Sequence, residues 1–157
     1  RIRWYDNLIA KKINSNLEIK IKNGDLGKKL THEIKNFSLD NGYKASDIQK
    51  FILKTKIGDQ YNINSTAPTL INRYKRKYFQ SFNKKFRITI DNDLSFYSIN
   101  KNYLSMTKKY HDKINVILEL KYLADQDDYV REVTNALPFR ITKSSKYVIG
   151  IDKVKIK

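Results

Sequence analysis

Alternation of apolar and polar residues runs through much of this chain and predicts β-strands. In residues 1–5, Ile2 and Trp4 form an apolar face, with Arg1, Arg3 and Tyr5 on the other. In residues 17–22, Leu17, Ile19 and Ile21 turn toward a core, and Glu18, Lys20 and Lys22 turn away. The central pair covers residues 74–79 and 86–91. Tyr74, Arg76 and Tyr78 point one way, and Arg73, Lys75, Lys77 and Phe79 the other. Phe86, Ile88 and Ile90 make an apolar face opposite Arg87, Thr89 and Asp91. The polar stretch 80–85 suits a hairpin turn, so the pair aims Arg76 and Arg87 at a common space. Residues 115–122 alternate as well, with Val116, Leu118, Leu120 and Tyr122 opposite Ile117, Glu119 and Lys121. A strand beginning at 94–97 and a last short one over 147–151 complete the set, and 152–157 reads as a basic alternating tail.

Turn chemistry and helical spacing divide these strands. Asp6-Asn7, Asn14-Ser15-Asn16, Asn23-Gly24 and Asp91-Asn92-Asp93 are turn signals, the last ending the central hairpin. Residues 28–35 carry weak helical character. Ser46 is placed to cap a short helix with Ile48, Phe51 and Ile52 on one face. Residues 125–137 predict an amphipathic helix, with Tyr129, Val130, Val133 and Leu137 at helical spacing and Pro138 as its stop. Residues 58–67 are loop-like, and 100–113 receive no assignment. The expected fold is α+β: mostly antiparallel strands with a few short helices, in one domain over residues 1–157.

Charge changes the picture next. The chain has 32 basic and 16 acidic residues, a net charge of +16. Such a field attracts polyanions: nucleic acid, nucleotides, phosphate chains or an acidic membrane surface. A lysine-rich composition explains much of that excess, yet not charge placed in register on strands. With no cysteine, disulfides, thiolate metal sites and a cysteine nucleophile are excluded. No apolar run is long enough to span a membrane. The first residue is Arg1, inside an expected strand, which points to a domain lacking its N-terminal part.

No phosphate-binding glycine loop, dinucleotide turn, metalloprotease helix or nucleophile elbow is present. His32 and His111 stand apart from any partner pattern and are expected to be ordinary surface or packed histidines. What remains is strand-borne charge: Arg1, Arg3, Glu18, Lys20, Arg76, Arg87, Glu119 and Lys121, then Lys143 and Lys146. Arginine grips phosphate through its planar fork and lysine as a point charge. Converging cations of this kind suit phosphoryl transfer, which needs positioning and electrostatics, and a carboxylate such as Glu119 suits a divalent metal. A Glu-x-Lys face is equally what an ordinary cross-strand ion-pair ladder looks like.

Six blocks in order carry a resemblance. They are Arg1-Ile2-Arg3-Trp4-Tyr5, Leu17-Glu18-Ile19-Lys20, and Tyr74-Lys75-Arg76-Lys77-Tyr78-Phe79. Then come the run from Arg87 to Leu94, Leu118-Glu119-Leu120-Lys121-Tyr122, and Lys143-Ser144-Ser145-Lys146-Tyr147. The chain resembles the VTC domain, the polyphosphate polymerase domain of the CYTH-like triphosphate tunnel metalloenzymes. The resemblance implies an antiparallel β-barrel tunnel that binds ATP or another triphosphate with Mn or Mg and transfers the terminal phosphate to polyphosphate. It implies phosphate-binding roles for Arg1, Arg3, Lys20, Tyr74, Arg76, Arg87, Lys143 and Lys146, with Lys28 or Lys29 as a further basic match. Arg76, Arg87 and Glu119 would be catalytic, and Glu119 the metal ligand. It also implies a cytoplasmic domain, at times tied to a membrane-protein partner. The Glu-x-Glu-x-Lys-type motif usual on the first tunnel strand has no counterpart here.

Three functions compete: a metal-dependent polyphosphate polymerase or triphosphatase, a polyphosphate- or nucleotide-binding module without turnover, and a basic nucleic-acid binder using Tyr5, Tyr74 and Tyr78.

Overall fold

In the computed structural model, the described residues are 1–23, 26–40, 43–55, 57, 60–61, 63–99 and 109–154. They group into two compact units: residues 1–69 with 98–107, and residues 70–97 with 108–157. The architecture is α+β with antiparallel sheets and three short α-helices among the described residues. Neither sheet closes on itself among those residues.

The first unit is built on a three-stranded sheet in the order β1 (Ile2–Arg3), β2 (Ala10–Asn23), β3 (Leu26–Leu39). The expected strand over residues 1–5 is thus shorter, and the one over 17–22 much longer. Asn14, Ser15 and Asn16 lie inside β2 and make no turn: Asn16 pairs with Glu33 on one side and Arg3 on the other. Two neighbouring strands override local turn preference. The weak helix at 28–35 is also replaced, by β3. Leu30, His32 and Ile34 face inward while Lys29, Thr31, Glu33 and Lys35 are exposed, a period of two that the polar His32 obscures. The long hairpin is irregular between Ala10 and Ser15. Positive φ at Lys12 and Asn36 accompanies that slip, as expected of bulges.

On this sheet sits α1 (Ala45–Leu53). Ser46 is not its cap: the Asp47 carboxylate accepts from the Lys44 backbone N–H at 3.0 Å. An aromatic run fixes the helix to the sheet, with Trp4 5.4 Å from Phe37 and Phe37 5.2 Å from Phe51. Leu17, Ile34, Phe37, Leu39 and Ile48 bury almost completely there. Within the expected loop, Ile63–Ser65 forms a 3₁₀ turn.

The second unit holds a sheet in which β4 (Leu70–Gln80), β5 (Phe86–Ser98) and β6 (Lys109–Asp112) are neighbours and β7 (Ile117–Tyr122) also pairs with β5. The central hairpin is as expected, but Asp91-Asn92-Asp93 does not end it. Asp93 takes a φ of 54°, a local irregularity, and the strand continues to pair Leu94 with Asp112 and Phe96 with Tyr110. Residues 109–112 of the unassigned stretch are this β6; 100–108 lie outside the described residues. The β7 register sets Ile90 opposite Leu118 and Ile88 opposite Leu120, so one face is apolar. The other face sets Arg87 opposite Lys121 and Thr89 opposite Glu119.

The helix expected over 125–137 divides into a 3₁₀ turn, Ala124–Gln126, and α2 (Asp127–Asn135). The expected strand over 147–151 is a helix, α3 (Lys146–Lys153), which also takes the start of the supposed basic tail; residues 155–157 lie outside the described residues. Five consecutive apolar or small residues cannot distinguish strand from helix by period alone. Ser145 decides it by capping, its hydroxyl accepting from the Val148 N–H. The core of this unit is Leu94, Phe96 and Val154, packed by Leu70, Tyr74, Tyr110, Ile117 and Ile149.

Gly150 is where α3 meets the sheet most closely. A Cβ there would stand 2.5 Å from both Leu70 Cδ2 and Phe96 Cδ1. Overpacking of this kind costs about 1–3 kcal/mol. Gly150→Ala should therefore destabilise the protein in urea unfolding, although alanine is the better helix former. Unchanged or increased stability would show that α3 does not dock this tightly.

Candidate phosphate-binding site

Within the second unit, Asp91 is the centre of a charged cluster on the polar face of β5. It is fully buried, with 0% exposure. Arg76, from β4, donates Nε to Oδ1 at 2.5 Å and Nη2 to Oδ2 at 2.7 Å, a bidentate fork. Lys146, the first residue of α3, brings Nζ to 2.6 Å from Oδ2. Thus a capped helix start, placed by Ser145, delivers a lysine to a sheet carboxylate. Arg76 Nη2 also lies 3.8 Å from Glu119 on β7, and Lys121 lies 3.2 Å from Glu119.

Aromatic faces hold the cations from above. The Arg76 guanidinium is 5.2 Å from the Tyr74 ring and 5.8 Å from that of Tyr78, and Lys146 Nζ is 5.2 Å from Tyr74. Tyr74, Arg76 and Tyr78 share a face of β4, as the alternation predicts.

The electrostatics favour the charged forms of Asp91, Arg76 and Glu119. Burial pushes the Asp91 carboxyl up, but the Arg76 and Lys146 hydrogen bonds outweigh it and the net shift is downward. The hydrogen bonds to Asp91 raise Arg76 above its ordinary value. At Glu119 burial again acts upward, and Lys121, Arg76 and Lys146 bring the net shift down. The cluster sets three cations, Arg76, Lys121 and Lys146, against two carboxylates, a positive surplus. Arg76 commits two of five N–H groups to Asp91, so donors remain. Beside these groups Thr89 is 3% exposed, and its hydroxyl has no hydrogen-bond partner among the described residues.

The expected site residues thus fall into groups. Tyr74, Arg76, Glu119 and Lys146 come together. Arg87 shares the strand face of Thr89 and Asp91 but is exposed, with no ion pair among the described residues. Lys143 is exposed, three residues before α3.

In the first unit Glu18, 4% exposed, organises a second cluster. Arg1 Nη2 is 2.5 Å from Oε2, and Arg3 and Lys29 approach Oε1 at 3.3 and 3.5 Å. Burial raises the Glu18 carboxyl, and the Arg1 hydrogen bond with the Arg1, Arg3 and Lys29 charges produces a net downward shift. Lys20 pairs in register with Lys29, and Lys28 with Ile21. Lys29, not Lys28, is therefore the one of the two that reaches the Glu18 cluster.

Alternation places Glu18 among the strand-borne charges and Asp91 on the strand face of Arg87 and Thr89, but it does not show that these carboxylates are the centres of their clusters. The available signal was their position: each shares a strand face with arginines or lysines on the same or a neighbouring strand. His111 is also less isolated than expected, since its Nε2 lies 2.5 Å from Asp93 Oδ1 while Lys75 lies 3.0 Å from Oδ2.

Among the described residues no three His, Cys, Asp or Glu side chains gather into a ready-made cage for a metal. Glu119 is the accessible carboxylate of the Asp91 cluster, 41% exposed. Mg is commonly held by one or two carboxylates with substrate phosphates completing the shell, so this donor set fits such an ion only together with a phosphate ligand.

A family model described as the VTC domain matches residues 1–155, and the chain belongs to the VTC domain family. At the level of the family this implies a polyphosphate-polymerase-related function. No curated protein and no solved structure matches the chain significantly. Among the described residues no helix is long and apolar enough to cross a membrane.

Asp93 provides a pH test. Hydrogen bonds from His111 and Lys75 hold its carboxyl at about 2, below the ordinary 3.8. A depressed folded value means the contribution is complete above the unfolded value and is lost as pH falls through the folded one. Stability should therefore decline between pH 3.8 and about 2, and less so in Asp93→Asn. Urea unfolding across that range measures it; equal acid sensitivity in both proteins would remove Asp93 as a contributor.

Proposed function

We propose that this chain binds a triphosphate on its organised cations and transfers the terminal phosphate of ATP to a polyphosphate chain. The observation that carries the reading is the pinning of Arg76 and Lys146 on buried Asp91, with unused donors left on both. Cations held in place before the ligand arrives need no reorganisation when phosphate charge must be stabilised. Family membership supports the same reading and, with it, the finer architecture of an antiparallel barrel enclosing a triphosphate tunnel.

In this mechanism Arg76 and Lys146 orient the phosphates. Arg87 offers a further cation to the polyanion, and Lys143 is a further candidate near α3. In the first unit Arg1, Arg3, Lys20 and Lys29 make a basic group of their own. The terminal oxygen of polyphosphate attacks the γ-phosphorus. One P–O bond forms, the bond to the β-phosphate oxygen breaks, and ADP departs with the electron pair. No covalent protein intermediate is required. A bound Mn or Mg would be held by Glu119 and phosphate oxygens, neutralising phosphate charge.

A second reading, a binding module without turnover, is favoured by one observation. Glu119 is already ion-paired with Lys121 and Arg76, so a metal must compete with those cations.

Arg87 is the cleanest probe because its side chain is exposed and holds no buried partner. Arg87→Ala should leave unfolding unchanged and weaken tripolyphosphate binding about tenfold, as loss of one charge-assisted contact does. Full affinity in this variant would remove Arg87 from the site. Glu119→Gln should reduce Mn-dependent conversion of ATP to polyphosphate far more than it reduces ATP binding. Conversion that persists in Glu119→Gln would assign the metal elsewhere.

A further inference from the structure

The turn between β4 and β5 has a feature the phosphate reading does not use. Between Arg73 and Ile90 the chain carries seven basic residues and no acidic one. At the apex Phe82 is completely exposed, and behind it Tyr78 and Phe79 are each more than half exposed. Lys77, Lys84 and Lys85 are exposed along the same turn and its flanks, with Lys85 Nζ 5.9 Å from the Tyr129 ring.

Hydrogen bonds on both sides of Phe82 tie the backbone of the turn. The Ser81 N–H donates to the Phe86 carbonyl at 2.9 Å, and the Phe86 N–H donates back to the Ser81 hydroxyl at 3.0 Å. Ser81 Oγ also donates to Asn83 Oδ1 at 2.6 Å, and that oxygen accepts from the Lys85 N–H at 3.1 Å. Lys84 takes a φ of 60°, closing the turn with its N–H on the Ser81 carbonyl.

We propose that this hairpin tip docks on an anionic lipid bilayer, with Phe82 entering the interface and Lys84 and Lys85 meeting acidic headgroups. The charge is complementary over the whole hairpin. The order along it, an apolar apex followed by a cationic collar, is also the depth order of a bilayer interface from acyl boundary to headgroup. A free phosphate chain offers nothing apolar to Phe82. A nucleic-acid platform would place its aromatic rings along the groove that follows the backbone, and here the most exposed ring projects from the apex of a turn. The tied turn loses little freedom on insertion.

The test is co-sedimentation of the whole protein with phosphatidylcholine vesicles, and with vesicles containing about a third phosphatidylserine. The protein should bind the anionic vesicles and not the neutral ones. Phe82→Ser should weaken that binding about tenfold, the order expected for loss of a buried aromatic ring. Lys84→Glu with Lys85→Glu should abolish it. Both variants change exposed side chains, and an unchanged circular dichroism spectrum confirms that they fold. Three results would overturn the proposal. One is anionic binding unaffected by Phe82→Ser, which is adsorption by net charge alone. Another is no binding to either vesicle. The last is Phe82-dependent capture of a single-stranded oligonucleotide with vesicles ignored.

Discussion

The ion pair between Arg76 and Asp91 is the interaction on which the second unit's site depends. A carboxylate with no exposure is costly to bury, and only a partner with matched geometry offsets that cost. The guanidinium fork supplies it with two short parallel bonds, and Lys146 adds a third. Removing one member of such a buried pair costs about 3–5 kcal/mol, because the other charge is left stranded. The same bonds that protect Asp91 fix Arg76 and Lys146 in space. Stability and site geometry are here one constraint.

That constraint reaches back into secondary structure. Lys146 arrives at Asp91 only because Ser145 starts a helix at that point. The helix can approach only because Gly150 has no side chain against Leu70 and Phe96. Arg76 arrives because β4 is the neighbour of β5 and the β4 face that carries Tyr74, Arg76 and Tyr78 meets Asp91. In the first unit the arrangement repeats with a glutamate: Glu18 lies under Arg1, Arg3 and Lys29. In both clusters a carboxylate takes part of the cationic charge and leaves a surplus, which is what an organised anion site requires.

Strands of period two were legible in the sequence wherever the apolar face was unbroken, as in 86–91 and 117–122, while Asn115 and the exposed Val116, expected in the latter, fall outside it. They were not legible where a polar residue sat on the inner face, as His32 does in β3, or where turn-forming residues were clamped between two strands, as Asn14 to Asn16 are in β2. The helix at Lys146–Lys153 was hidden because its apolar run fits either period, and only the cap and the glycine distinguish them. Among candidate site residues, arginines and lysines on strands were visible from their alternation with aromatic or apolar neighbours. The organising role of Glu18 and Asp91 was not, since a carboxylate on a strand face looks like an ordinary ladder or turn residue until its partners on other strands are known.

The central claim is that Arg76 and Lys146, held on Asp91 in the second unit, form an organised site and not part of a diffuse basic surface. Tripolyphosphate binding followed by calorimetry across a range of sodium chloride concentrations tests it most directly. An organised, partly buried site is screened less than exposed charge, so the account predicts one ligand per chain with affinity that falls shallowly with salt. Several ligands per chain, with affinity collapsing steeply as salt rises, would contradict it and leave only the field of a strongly basic protein.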